Sequence, residues 1–306
     1  MISIKQISYA LKVAANLHFK KAADQCFVSP STLSNAITEM EKQLGFQVFE
    51  RDNRKVIITS LGADFIEKAQ SIKLQLEDIR KISELQSEPL SHRLSVGIIP
   101  TISPFFIPMV LPRIANEYPK LQLELEEAQT EILINKVKTG DLDIAILALP
   151  YDLKGMIAFK FWEEDFFWVT KADDKRAKVG QIKAENLKIS ELILLEDGNC
   201  LKDHVLSACK ISDISQHSFK ASTLTTLIQL VKGGMGTTVI PQMAIAQLLN
   251  SDPELTYSHL NEKGPHREIA IIIRPSYSGT KNVETLVKLF SSQLRKESLI
   301  PNARNT

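Results

Sequence analysis

Residues 18–51 read HFKKAADQCFVSPSTLSNAITEMEKQLGFQVFER, and how this stretch divides decides the fold of the amino end. Phe19, Ala22, Ala23 and Cys26 fall at i, i+3, i+4 and i+7, the apolar stripe of a helix, with Lys20 and Lys21 beside it. Phe27, Val28 and Ser29 interrupt the pattern. Ser29 is a good N-cap, and Pro30 suits the first helical position, where its missing N–H costs nothing. The next helix, 30–44, runs on Leu33, Ile37, Met40 and Leu44 and stops at Gly45, a good residue at a helix C-terminus. Helix, three-residue turn, helix predicts a helix-turn-helix.

Outward from this core, Ile4, Ile7, Leu11 and Ala14 recur at steps of three and four and predict a first amphipathic helix. After Gly45, FQVFERDNRKVIITSLG (46–62) holds two β-prone runs around a polar tip, a hairpin wing that can reach a DNA backbone. Residues 1–60 carry eight Lys/Arg (5, 12, 20, 21, 42, 51, 54, 55) against five Asp/Glu (24, 39, 41, 50, 52). Five of those bases sit in two clusters placed for phosphates: Lys20, Lys21, Arg51, Arg54 and Lys55 are expected to set affinity rather than sequence choice. The amino-terminal part of the third helix is the part that enters a major groove. Its candidates for base contact are Pro30, Ser31, Thr32, Ser34 and Asn35. Asn35 suits adenine and Thr32 a thymine methyl, and with no Arg or Lys in the stretch direct guanine readout is not expected.

Residues 60–87 form one helical pattern in which Phe65, Ala69, Ile72, Leu76 and Ile79 alternate steps of four and three, a seam suited to pairing with a second copy. QSEPLSHR (86–93) reads as a linker. From Leu94 the pattern changes to buried strands alternating with helices: LSVGIIP, a helix around 104–117, LQLELEEAQ, a helix around 130–139, LDIAILAL, and later LILLE, SFKAS, TLTTLIQLVKGG and GTTVIP. Such repeats imply α/β architecture with ligands at the carboxyl ends of strands. The stretch 150–175, with FKFWEEDFFWV, breaks the rhythm and is expected to cross into a second lobe. The expected organisation is therefore a winged helix-turn-helix domain over 1–59, a linker and dimerisation helix with a hinge over 60–92, and a two-lobed α/β effector domain over 93–300.

At 306 residues the chain is long enough for two or three cores. No apolar run approaches the roughly 18 residues of a membrane helix, and MISIKQISYALK lacks the pattern of an export signal, so a cytoplasmic location and no membrane partner are expected. A net charge of +1 places any DNA-binding surface in local patterning. Two of the three cysteines, Cys200 and Cys209, lie nine residues apart in LLEDGNCLKDHVLSACK (194–210). In a reducing cytosol such a pair is more often redox-active or metal-binding than a static staple. His204 is the only Cys or His near them and stands alone, so neither metal nor cofactor is expected. Nine steps at about 100° place the two sulfurs on opposite faces of a helix, so one core stripe does not naturally hold both. Cys26 reads as a small apolar residue of the second helix.

Taken together, the stretch 18–51 and LVKGGMGTTVIP (230–241) resemble the LysR-type transcriptional regulators over nearly the whole chain. Within that family the likeness is to the hydrogen-peroxide-sensing branch, carried by IIPTISPFFIP, EAQT, LDIAILAL and above all LLEDGNCLKDHVLSAC. The resemblance implies a homotetramer, a dimer of dimers, on double-stranded promoter DNA, with an effector domain like a periplasmic binding protein. Contact with RNA polymerase is compatible with it.

The resemblance also assigns roles. Cys200 becomes the peroxide-reactive thiolate and Cys209 the resolving thiol. Arg267 would steady the thiolate, Thr101 and Thr130 would hold the peroxide oxygens, and Asp203 would assist proton movement. A thiolate at the start of a helix gains from the free N–H groups there, and attack on peroxide gives a sulfenic acid that a second thiol converts to a disulfide. A helical 200–209 would separate the Cα atoms by about 13 Å along the axis, whereas a disulfide needs about 7 Å or less, so the bond requires the helix to unwind. By the same resemblance Asn199 joins Thr101, Thr130, Asp203 and Arg267 as an effector-binding residue, although the chain departs from the branch there, where His is frequent, and at Ser218, with His217 one place earlier. Asn can donate a hydrogen bond but carries no charge. Two other readings stand beside this one: a LysR-type regulator whose small organic acid is bound by Thr101, Thr130 and Arg267, the cysteines being incidental, and a thiol peroxidase, which leaves the first sixty residues unexplained.

Overall fold

The computed structural model describes residues 1–52, 55–85, 88–176, 180–211, 220–249 and 252–299. Arg54, His217 and Ser218 lie outside the described residues, as does the side chain of Arg51. The chain forms two compact units, 1–83 and 84–306.

The first unit begins with α1 (Ile4–Asn16), capped by Ser3, whose hydroxyl accepts the Gln6 N–H while the Gln6 side chain accepts the Ser3 N–H. α2 (Phe19–Gln25) and α3 (Pro30–Leu44) follow. Ser29 caps α3 as expected, accepting the Thr32 N–H at 3.1 Å, and Gly45 ends it at φ 76°, a left-handed conformation that favours glycine. Leu33, Ile37 and Met40 are fully buried, each contributing about 1.5–3 kcal/mol. The stripe of α1 differs from expectation. Ile4 is exposed and Leu11 and Ala14 only half-buried, while Ala10 and Val13 are fully buried, because α2 and α3 pack against the side those smaller residues present. The turn is also longer by one, since α2 ends at Gln25 and Cys26 is its cap.

β1 (Phe49–Asp52) and β2 (Lys55–Ile58) form the expected antiparallel hairpin, in register from Phe49 opposite Ile58. The buried Glu41 carboxylate of α3 accepts the N–H groups of Val48 and Phe49 at 2.9 and 3.0 Å, which fixes the hairpin to the third helix. α4 (Ser60–Leu85) covers the predicted long helix. The start of its seam is used within this unit, with Phe65 and Ile66 against the core and Ala69 buried, whereas Ile72 and Ile79 are exposed.

In the second unit, β3 (Arg93–Ile98), α5 (Ser103–Glu117), β4 (Gln122–Glu127), α6 (Thr130–Thr139) and β5 (Ile144–Leu149) realise the predicted alternation. Every residue of β5 is buried, which explains its unbroken apolar run. β6 (Ile157–Glu164) and β7 (Phe166–Lys171) belong to different sheets, so the chain crosses between lobes at Asp165, inside the stretch that breaks the rhythm. Next come β8 (Gln181–Ile182), β9 (Leu194–Leu195), α7 (Cys200–Ala208), β10 (Lys220–Ala221), α8 (Leu224–Lys232), β11 (Thr238–Pro241), α9 (Ile245–Leu248) and β12 (Leu255–Leu260). The chain then returns to the first lobe through β13 (Arg267–Ile273) and ends in α10 (Thr280–Leu299).

The first lobe is a five-stranded sheet ordered β4-β3-β5-β13-β6, in which β3 is parallel to both neighbours and β13 antiparallel to both of its own. The second is a four-stranded sheet ordered β11-β7-β12-β8, with the parallel pair β9 and β10 beside it. Each lobe has its own apolar core. The linker is not wholly free chain: Leu90 is buried in the first-lobe core, and its N–H donates to Asn282 Oδ1 at 3.3 Å.

Candidate functional site

On the first unit, Pro30, Ser31, Thr32 and Asn35 are exposed on α3, as are Lys20 and Lys21 on α2 and Lys55 on the hairpin; Ser34 is half-buried. Ser29 Oγ lies 2.9 Å from Ser31 Oγ and 2.7 Å from Thr32 Oγ1. Those two hydroxyls are thus committed in part to capping, and Asn35 stands as the freer polar group for a base edge. Phe27, which no pattern in the sequence singles out, sits in the turn before α3 at φ 55° and 95% exposed.

The cysteines occupy the two ends of α7. Cys200 is its first residue, following the turn residue Gly198 and the N-cap Asn199, and Cys209 caps the other end with its N–H on the Val205 carbonyl at 2.9 Å. Both are free thiols. The helix between them is continuous, so the separation of about 13 Å along its axis applies. They are also buried in different cores: Cys200 with the five-stranded lobe, Cys209 with Leu201 and Val205 in the other. α7 thus packs Leu201, Val205 and Cys209 into the second-lobe core and turns Cys200, at its start, to the first.

A cavity of about 10 Å³ lies at the Cys200 end, lined by Thr101, Gln129, Thr130, Gly198, Asn199 and Cys200. That is about one water's worth of room. Three of the five residues expected to bind an effector, Thr101, Thr130 and Asn199, meet at this point. Arg267 stands behind them, wholly buried, with Nη1 donating to Thr101 Oγ1 and Nη2 to the Thr101 carbonyl, both at 3.3 Å. Asp203 does not line the cavity; it is exposed in the first turn of α7. Asn199 is not charged into service as a cap, its Nδ2 donating instead to the Glu196 carbonyl at 3.2 Å.

The electrostatics of Cys200 differ from expectation. Burial pushes its thiol pKa upward, and this outweighs Thr130 and Arg267, which both favour the thiolate; Asp203 adds to the rise. Helix-start donors do not overcome desolvation when only about a twenty-fifth of the residue meets solvent. Thr130 Oγ1 has no partner at full hydrogen-bond geometry, yet it faces the sulfur closely enough to lower that pKa. Cys209 is pushed up to about 12, by burial first and then by the Glu262 carboxylate.

The turn-forming Asp197 and Gly198 before Cys200 are legible in the sequence, whereas Glu164, which also builds the site, carries no signal there. Glu164, its side chain wholly buried, takes Arg267 Nε at 2.7 Å and Nη2 at 2.6 Å on one oxygen and the Met243 N–H at 2.9 Å on the other. It compensates the guanidinium that the site needs, and its place at the end of β6 becomes meaningful only once β6 and β13 pair. Asp197 links the buried Lys202 of α7 to Lys220 of β10 (3.0 Å to the latter), tying down the turn that presents Cys200, and the two ammonium groups hold its carboxyl at about 2. Gly198 sits at φ 90°, a backbone conformation that favours glycine, and a Cβ there would lie 2.8 Å from Oε1 at the movable end of the Gln129 side chain. Among the described residues no group of three or more metal-binding side chains is assembled, and no helix is long and apolar enough to cross a membrane.

Comparison with known proteins agrees with this architecture. The model of the LysR substrate binding domain matches residues 87–295, and that of the bacterial regulatory helix-turn-helix protein, lysR family, matches 4–63. The chain is 38% identical over 276 residues to the HTH-type transcriptional regulator EstR of Acinetobacter baylyi, covering 90% of this chain and 91% of that one. It is 32% identical over 275 residues to a hydrogen peroxide-inducible genes activator of Dickeya chrysanthemi, covering 90% of each. A solved full-length OxyR variant from Pseudomonas aeruginosa superposes with a TM-score of 0.75 at 29% identity, over 95% of both chains.

Proposed function

Because the chain belongs to the LysR family of bacterial helix-turn-helix regulators, we propose that it reports hydrogen peroxide to promoter DNA through oxidation of Cys200 and a reversible Cys200–Cys209 disulfide. The observation that carries this reading is the site at Cys200: two threonines, an asparagine and a thiol bound about 10 Å³, room for about one water, so the sulfur is open only to a reactant of very few atoms. The likeness to peroxide-inducible activators and to OxyR supports it. A small organic acid calls for a site nearer the about 300 Å³ at which ligand pockets begin, so the rival reading would require the lobes to part.

In the proposed sequence the Cys200 thiol loses its proton as peroxide enters, and Thr101 and Thr130 hydroxyls hold the two oxygens. The thiolate attacks the nearer oxygen, the O–O bond breaks, and the departing hydroxide takes the proton to leave as water, with Asp203 at the helix edge as the carrier. Cys200 is then a sulfenic acid. The Cys209 sulfur attacks it, an S–S bond forms and a second water leaves, so two thiols lose two electrons and one peroxide becomes two waters. Arg267, held by Glu164, supplies the fixed positive charge beside the developing anion. Since the thiols are a helix length apart and rooted in separate cores, the second step requires α7 to unwind, and that rearrangement is the signal.

The wider reading places the winged helix-turn-helix over 1–59, the linker and dimerisation helix over 60–92, and a two-lobed effector domain like a periplasmic binding protein over 93–300. It takes the exposed Ile72 and Ile79 as part of a helix-pairing seam in a dimer of dimers. The protein works in the cytoplasm, with RNA polymerase as a further partner, and needs no cofactor or catalytic turnover. Thiol counting and peptide mapping after one equivalent of peroxide test the proposal: a Cys200–Cys209 bridge is expected. Cys200→Ser should bind promoter DNA but lose the peroxide response, and a variant that still responds normally overturns the assignment.

A further inference from the structure

The cavity at Cys200 meets solvent on one side. Among its described lining residues only Gln129 and Gly198 are exposed; Thr101, Thr130, Asn199 and Cys200 are buried, the last at 4% exposure. The two exposed residues come from different segments. Gln129 is the N-cap of α6, directly before Thr130, and Gly198 stands directly before Asn199, the N-cap of α7. A Cβ on Gly198 would lie 2.8 Å from Gln129 Oε1 and 3.1 Å from both its Cδ and its Nε2, so the whole carboxamide fills the place a side chain at 198 would take. The way in from solvent is thus the seam between Gly198 and the Gln129 side chain. Nothing latches that side chain: it makes no capping bond, and its carboxamide has no hydrogen-bond partner among the described residues. An exposed side chain held only by contact changes rotamer in picoseconds to nanoseconds.

We infer that Gln129 is the gate of the Cys200 cavity and sets the size of the hydroperoxide that reaches the sulfur. With the carboxamide over Gly198, room for about one water remains beside the thiol. Hydrogen peroxide then needs a small excursion of the gate, whereas an organic hydroperoxide must place its alkyl group where the carboxamide lies. The chemistry is the same for both. The thiolate takes the terminal oxygen, the O–O bond breaks, and the remainder leaves with one proton as water or as an alcohol; the sulfur is oxidised to a sulfenic acid and the peroxide reduced by the same two electrons. Discrimination between hydroperoxides therefore lies in access. That discrimination rests on the thiol-switch reading above, while the gating of Cys200 does not.

The test uses the reduced full-length protein and two variants: Gln129→Ala, which removes the carboxamide, and Gln129→Met, which keeps its length without its polarity. Loss of the Cys200 thiol is followed by peptide mapping after alkylation in denaturant, with hydrogen peroxide and with tert-butyl hydroperoxide. In Gln129→Ala the ratio of the first rate to the second should fall by about tenfold or more, as expected when a tight pocket gains room for added carbons. Gln129→Met should keep the parent ratio. A change in the acidity of the thiol would move both rates together and leave the ratio alone. An unchanged ratio in Gln129→Ala, or a fall in Gln129→Met as large as in Gln129→Ala, overturns the inference. Labelling of native Cys200 by methyl methanethiosulfonate needs no peroxide and separates the two claims. It should quicken by a similar factor in Gln129→Ala and not in Gln129→Met. If Cys200 is inert to both peroxides while its labelling follows this pattern, the gate stands and the thiol-switch reading fails; labelling at the parent rate in Gln129→Ala removes the gate.

Discussion

Replacing Leu201 by Ala should move the reduction potential of the Cys200–Cys209 pair in a direction the structure dictates. Leu201 is 2% exposed, packed in the second-lobe core beside Val205 and Cys209, and sits on the helix that must unwind before the sulfurs can meet. Truncating a buried Leu costs about 2–5 kcal/mol. If that packing exists only in the reduced form, the cost falls on the reduced form alone and the disulfide becomes relatively easier to form. At about 30 mV per 1.4 kcal/mol for a two-electron couple, the potential should become more negative by about 40–110 mV. The assay is equilibration of the full-length protein in dithiol/disulfide buffers, with the oxidised fraction read by mass spectrometry after thiol trapping. Val205→Ala, at 1% exposure, should move the potential the same way. A potential unchanged to within about 10 mV, well under the shift expected from the lost packing, would mean that Leu201 is packed equally in both states. The helix then would not melt, and the mechanism would be wrong.

Other consequences are equally specific. The Cys200 thiol is raised above its ordinary value by burial, so its thiolate is a minor form at neutral pH and the rate of peroxide consumption should climb about tenfold per pH unit between pH 6.5 and 8.5 in stopped-flow measurements; a plateau beginning near pH 7 refutes the resting protonated thiol. Burial pushes the folded Cys209 pKa up to about 12, above its ordinary thiol value, so it favours folding while protonated and that contribution is lost as pH rises from about 9 toward 12, by about 1.4 kcal/mol per unit. Urea unfolding should therefore show a shallower alkaline decline in Cys209→Ala than in the parent. Glu164→Gln strips the compensating charge from a wholly buried guanidinium and should cost about 3–5 kcal/mol of stability, read by thermal or urea unfolding; a near-neutral effect would show that Arg267 is neutralised some other way. Lys20→Ala and Lys21→Ala should each lower the slope of log binding constant against log salt by about 0.9, with no change in preferred sequence.

Much of this was legible in linear pattern. Ser29 and Pro30 announced the start of α3 and Gly45 its end, because caps are local hydrogen-bonding problems solved by local residue types. The hairpin, the long α4 and the alternation from Leu94 onward were legible for the same reason, and the apolar run of β5 marks a strand covered on both faces. The buried face of α1 is not legible there, since Ile4 is as apolar as Ile7 and only the docking of α2 and α3 selects between them. Leu90 looked like linker because a single apolar residue among polar ones carries no period.

By itself the chain of residues determined that a helix-turn-helix precedes an α/β unit and that two thiols stand nine residues apart, for these follow from short-range geometry. Only the tertiary structure decided that those thiols are rooted in separate cores and that Thr101, Thr130 and Asn199 enclose scarcely a water's volume. It decided too that Glu164, 103 residues from Arg267, neutralises it, and that burial raises rather than lowers the Cys200 pKa. Desolvation and charge compensation are sums over neighbours that the chain brings together from far apart, and no local pattern contains that sum.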